Sequence, residues 1–172
     1  MVKNLLIINV IVYIAQFAIP WVDANLAMYP FQSEAFKPIQ IVSHFFMHST
    51  HSIMHIVFNM FAVVMFGTTL ERVWGAKRFL TFYLVSAFGA TFLYSIVGYL
   101  RIKVLMADMS PEDVNLVLLN GRDAILEGKN FVQFDMAQLN GMLNTPVVGA
   151  SGAVFGLLAG YAYLFPNTEL ML

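Results

Sequence analysis

The sequence contains no cysteine. Disulfides, thiolate metal sites and a cysteine nucleophile are thereby excluded. Charge is also scarce. Asp, Glu, Lys and Arg make up 11% of the 172 residues, against about 25% in an ordinary soluble domain. The formal net charge is -1, which leaves no electrostatic footprint for nucleic acid. No His-Glu-x-x-His occurs, so the helical zinc signature of metalloproteases is missing. No internal repeat, low-complexity tract or separate soluble domain is visible, and residues 1–172 read as one domain.

Apolar side chains take the place of charge. They form 59% of the chain, and the mean hydropathy is +0.73, which favours the membrane class. A spanning helix needs roughly 20 mostly apolar residues. Four segments qualify, at about 5–21, 53–70, 79–100 and 146–165. The expected fold class is all-α, a polytopic membrane helix bundle. The first segment follows Lys3 and could be a signal peptide, but no small-x-small cleavage site follows it, so a retained helix is expected. Pro146 fits the first turn of the fourth helix.

Loop charge suggests an orientation. The short connection Glu71-Arg72-Val73-Trp74-Gly75-Ala76-Lys77-Arg78 is basic, and short basic loops stay on the cytoplasmic side. Asp23, Glu34 and Lys37 lie between the first two segments, and 101–145 holds four basic and six acidic residues. Both connections read as external. The N-terminus is then inside, and the fourth helix enters from outside. Ser151 falls about one and a half turns into that helix, near the outer face. His55 and Asn59 fall near the outer end of the second helix, at similar depth.

Within the long connection, Ser110-Pro111-Glu112-Asp113 has the pattern of a helix start: a capping serine, proline at N1 and an acid at N3. Gly121 is a candidate end for that helix. The connection is expected to be a surface insertion at the membrane interface.

Four polar features stand out. His55 and Asn59, at i and i+4, share one helical face. Polar groups at membrane depth face the bundle interior and a partner. They either join helices by hydrogen bonds or aim donors at a developing oxyanion. His44, His48, His51 and His55 are spaced by 4, 3 and 4, which on one helix would place all four on one face. That spacing raises a metal site, but the cluster contains no carboxylate. Gly152, Gly156 and Gly160 repeat a small-x-x-x-small pattern that admits a second helix closely. Ser151 precedes the first of these glycines, within Gly149-Ala150-Ser151-Gly152. A serine needs a base to become a nucleophile at neutral pH. No lysine lies in the four apolar segments, and no histidine follows Ser151. One of the four histidines could in principle be that base.

Together these residues resemble the rhomboid family of intramembrane serine proteases, of bacterial type. The likeness covers most of the chain: His44-Phe-Phe-Met-His48, Met54-His55-Ile-Val-Phe-Asn59, Gly67, Glu71-Arg-Val-Trp-Gly75 and Gly149-Ala-Ser-Gly152. The resemblance implies Ser151 as nucleophile. It implies an oxyanion hole of His55, Asn59 and the Ser151 N–H, with His48 supporting a water-filled cavity. Gly149 and Gly152 flank the nucleophile. Phe155 stands where the family often has a tyrosine packed on the catalytic histidine. Two departures are visible. Ile39-Gln40 stands where the family often has Trp-Arg. The family core also has six helices, with the general-base histidine on the sixth, whereas the fourth apolar segment here ends close to Leu172.

The resemblance therefore implies a chain truncated after its fourth helix, with an incomplete Ser–His dyad. Its glycine face would await a neighbour, and residues 1–172 alone would be inactive. It further implies transmembrane protein substrates, a lipid bilayer, no metal or cofactor, and a bacterial inner membrane with the N-terminus cytoplasmic. The alternative is an inactive rhomboid-like protein that binds membrane clients.

Overall fold

The structure, a computed structural model, describes residues 1–168. It is a helix bundle with no strand among the described residues. Its elements are α1 (Val2–Ala18), α2 (Pro20–Leu26), α3 (Gln40–Ser43), a 3-10 turn (His44–Phe46), α4 (Ile53–Trp74), α5 (Ala76–Asp108), α6 (Pro111–Leu126), α7 (Phe134–Asn144) and α8 (Ser151–Leu164).

The first apolar segment does not run straight to residue 21. Pro20 has no N–H to continue the ladder, and it forces the preceding residue out of the helical region. Ile19 is accordingly extended, at φ -131° and ψ 95°, and the chain bends by 115° into α2. At the other end of the bundle, α4 turns into α5 through Gly75. Its φ of +77° is open to glycine because no Cβ obstructs it.

The third segment continues well past residue 100. The 33 residues of α5 extend about 50 Å at 1.5 Å per residue, against a hydrocarbon core of about 30 Å. Its last turns meet α6 and α7 around a second core of Ile102, Val117, Met136, Leu139 and Leu143. The helix start at Ser110 forms as its sequence suggests: the Asp113 N–H donates to Ser110 Oγ at 3.1 Å. Gly121 does not end α6, which continues to Leu126. That glycine sits where α7 approaches, and a Cβ there would lie 2.3 Å from Asn140 Oδ1.

Among the described residues, α4 and α5 are long and apolar enough to cross a membrane, and the bent α1–α2 pair is a third candidate. The fourth apolar segment forms a shorter helix than expected. Only 14 residues are helical, beginning at Ser151 rather than Pro146. The reason lies in the backbone before it. Val147 pairs with Met28 in both directions, at 3.0 and 2.8 Å, and the Gly149 N–H donates to the His44 carbonyl at 3.0 Å. Those groups serve the 27–52 loop and cannot also serve a helix.

The glycines of α8 already have their close neighbour. A Cβ at Gly152 would lie 2.6 Å from Ala90 Cβ, one at Gly156 2.2 Å from Ser86 Oγ, and one at Gly160 3.1 Å from Phe82 and Trp74. Ala90, Ser86 and Phe82 all belong to α5. The expectation of an unpartnered glycine face is therefore corrected. The main core lies beneath this contact, with Val63, Leu70, Phe79, Tyr83 and Leu157 fully buried.

Candidate active site

The 27–52 loop carries His44, His48 and His51 and is built around a buried amide. Gln40 has no exposed surface. Its Oε1 accepts from the Tyr29 and Lys37 N–H groups at 3.2 and 3.1 Å. Its Nε2 donates to the Ala35 and Asn25 carbonyls at 2.9 and 3.2 Å. An amide has two donors and two acceptor sites, and here all are used. The Gln40 carbonyl meets His44 Nδ1 at 2.6 Å, and His44 Nε2 meets Thr91 Oγ1 on α5 at 3.2 Å. Both ring nitrogens of His44 are thus engaged. Burial holds this ring below the usual histidine range. The His44 carbonyl accepts from Gly149, so the loop also positions the turn that precedes Ser151.

His55 stands in the first turn of α4. The Ser49 backbone N–H donates to its Nδ1 at 3.0 Å. A backbone N–H can only donate, so in the neutral ring the proton must sit on Nε2. The Cε1–Nε2 edge of the ring lies beside the turn before α8. A Cβ built on Gly149 would lie 3.1 Å from His55 Nε2 and 3.6 Å from Ser151 Oγ, so the ring and the hydroxyl border one small space. Gly149 has φ +129°, a conformation essentially reserved to glycine. Two independent constraints therefore exclude a side chain there. Asn59 is buried, and its Nδ2 donates to the His55 carbonyl at 2.7 Å. One of its amide hydrogens is committed to its own helix.

Ser151 is the first residue of α8, not one and a half turns inside it. The residue is exposed. The first helical bond of α8 runs from the Val154 N–H to the Ala150 carbonyl, at 3.0 Å. The N–H groups of Ser151 and the two residues after it therefore have no acceptor within the helix, and the helix dipole adds partial positive charge there. This end of the helix suits an oxygen that becomes negative. Phe155, one turn further on, is 71% exposed. With Ser151, Gly152 and His44 it borders a cavity of about 210 Å³.

His48 is fully buried, and neither ring nitrogen has a protein partner. Its ring lies 5.3 Å from that of His55. Burial first, and the His55 ring second, push its pKa down to about 4. It borders a larger cavity of about 780 Å³, with His51, Gln16, Asp23 and Arg122.

The structure brings together Ser151, Gly149, Gly152, Phe155 and His55, with His48 behind His55. It does not place the four histidines on one helical face. His44 lies in the 3-10 turn, His48 and His51 in the following loop, and His55 in α4. The chain changes direction between them, which destroys the helical spacing. Among the described residues, no group of three or more His, Asp and Glu side chains could hold a metal ion. Gln16, Gln40 and Thr91 are organising residues that the sequence reading missed. Each is a polar residue in or beside an apolar run, and the desolvation penalty on such groups was the available signal.

Residues 35–108 match the family profile described as the Rhomboid domain. Over 134 residues, 78% of this chain, the sequence is 27% identical to Rhomboid protein 1, mitochondrial, of Saccharomyces cerevisiae. The chain spans 27% of that relative's length. No solved structure matches. The chain is thus similar to the rhomboid family over residues 35–108, and its long apolar helices fit an integral membrane helix bundle.

Proposed function

We propose that this chain carries the nucleophile and oxyanion donors of an intramembrane serine endopeptidase acting on transmembrane protein substrates near the outer membrane face. The observation that carries this reading is the shared space at Gly149, bordered by Ser151 Oγ and His55 Nε2. Ser151 Oγ attacks the substrate carbonyl and forms a tetrahedral intermediate. The His55 Nε2–H and the free N–H groups at the start of α8 donate to its oxygen. Asn59 contributes its second amide hydrogen. Collapse expels the amine and leaves an acyl-serine, which water then hydrolyses. No cofactor enters this sequence of steps.

The proton acceptor for Ser151 is not His55, because the neutral tautomer set by Ser49 makes its Nε2 a donor. His44 has both nitrogens engaged. On the resemblance to the rhomboid family, we assign the base to a histidine on a further helix beyond residues 1–172, and expect residues 1–172 alone to hydrolyse little. The basic turn at 71–78 supports a cytoplasmic N-terminus, and we place the protein in a bacterial inner membrane.

The test is fluorophosphonate labelling of the full-length protein. Labelling should disappear in Ser151→Ala. It should slow by roughly 10²–10³-fold when an oxyanion donor is removed in His55→Ala. Labelling that survives Ser151→Ala overturns the nucleophile assignment. A folded protein that neither labels nor cleaves would instead be a membrane client binder.

A further inference from the structure

Gln16 lies near the end of α1, on a different element from every residue assigned above, and is 5% exposed. Its amide bonds both backbone groups of His48. Gln16 Nε2 donates to the His48 carbonyl at 2.8 Å, and the His48 N–H donates to Gln16 Oε1 at 3.0 Å. Nε2 also donates to Asp23 Oδ1, across the bend in α2, at 2.9 Å. The amide cannot be reversed, because a backbone carbonyl only accepts and a backbone N–H only donates.

The consequence reaches one residue further. The next N–H along the chain, that of Ser49, holds His55 Nδ1 at 3.0 Å. A peptide unit is planar, so fixing the His48 carbonyl also fixes the direction of the Ser49 N–H. We infer that Gln16 is a positioning residue for His55: by clamping His48 from α1, it aims the Ser49 N–H at Nδ1 and keeps the ring proton on Nε2, facing Ser151. Gln16 touches no reacting atom. Its influence passes through one backbone unit to the tautomer of a ring on another helix. This inference rests on the reading of His55 as an oxyanion donor, but its structural content can be tested without any proteolysis.

The experiment uses full-length protein in detergent micelles with ¹⁵N-labelled histidine, the His55 signal being assigned by its loss in His55→Asn. Wild type should show one neutral tautomer, with hydrogen on Nε2 and Nδ1 as a hydrogen-bonded acceptor. Gln16→Met keeps the volume and removes every hydrogen bond, so His55 should become a mixture of tautomers. Gln16→Glu keeps the acceptor for the His48 N–H but loses the donor that holds the His48 carbonyl, so it should also give a mixture of tautomers. In full-length enzyme, Gln16→Met should lower kcat by about tenfold with little change in KM, as expected for a misaimed oxyanion donor. The same substitution should add nothing in a His55→Ala background. A single Nε2–H tautomer persisting in folded Gln16→Met, or a mixture already present in wild type, overturns the inference whatever the activity. Tautomers that respond as expected in a protein without Ser151-dependent labelling would uphold the clamp and refute the protease reading.

Discussion

The contact between Gly156 and Ser86 gives a prediction with a built-in control. The substitution Gly156→Ala would put the new Cβ 2.2 Å from Ser86 Oγ and 2.3 Å from Ser86 Cβ, where ordinary contacts between heavy atoms are about 3.5–4.0 Å. The hydroxyl can rotate away. Ser86 Cβ cannot, because it is fixed to the α5 backbone, so α5 and α8 must separate by about 1 Å or more to restore contact distance. Overpacking of this kind costs about 1–3 kcal/mol. Now replace Ser86 by glycine as well. Both offending atoms leave, and the new Cβ then faces the Cα of position 86 at 3.7 Å, an ordinary contact. The intrinsic helix terms partly cancel in the pair: Gly→Ala in one helix gains about 1 kcal/mol, and Ser→Gly in the other loses about half of that. Unfolding in mixed dodecyl maltoside and SDS micelles should therefore show Gly156→Ala destabilised, with the double variant Gly156→Ala, Ser86→Gly close to wild type. A Gly156→Ala protein as stable as wild type, or a double variant no better than the single, would refute this packing of α8 on α5. Because α8 begins at Ser151, the single variant should also lose fluorophosphonate labelling, and the double should regain it.

Other outcomes follow from the same contacts. Gly149→Ala should lose activity out of proportion to stability, since its Cβ would press on His55 Cε1 at 3.0 Å; the φ of +129° adds a strain of order 1–3 kcal/mol, read by comparing labelling rate with the unfolding midpoint. His48 supplies a pH test. Its folded pKa, about 4, is below the ordinary 6.5, so the unfolded chain takes up the proton first as pH falls. Stability is thus fullest above pH 6.5 and declines between 6.5 and 4, by up to about 3 kcal/mol. His48→Gln should flatten that part of the pH profile, and an unchanged slope would contradict the assignment. Ser110→Ala removes the cap on Asp113 and should destabilise the α6–α7 hairpin by about 1 kcal/mol, seen as faster amide exchange there with little change in α4.

Parts of the candidate site's local geometry were legible from residue type and spacing. His55 and Asn59 share a helical face because i and i+4 always do, and Ser110 caps α6 because its side-chain oxygen can reach a free N–H in the first turn. The glycine triplet announced a close helix approach, although not which helix would make it. The position of Ser151 was less accessible. Apolar character continues unbroken from Pro146 to Phe165, so hydropathy could not distinguish helix from the paired turn that precedes it. The turn exists because Val147 and Gly149 spend their backbone groups on Met28 and His44, residues more than a hundred positions away. The bend at Ile19 was, by contrast, a local consequence of Pro20 that the sequence carried openly.

Composition and hydropathy pattern therefore determined the class of this protein: with 11% charge the bilayer is the indicated solvent, where helices and closed barrels satisfy the backbone, and long unbroken apolar runs rather than alternating short ones select helices. The local order of histidine, asparagine and glycine-flanked serine determined which residues to consider. Only the tertiary structure decided that α5 fills the glycine face of α8, that Ser151 opens its helix with unpaired N–H groups beside it, and that Ser49 holds the His55 proton on Nε2. Each depends on atoms from distant segments meeting within a few ångströms, and hydrogen bonds and steric contacts act only at that range.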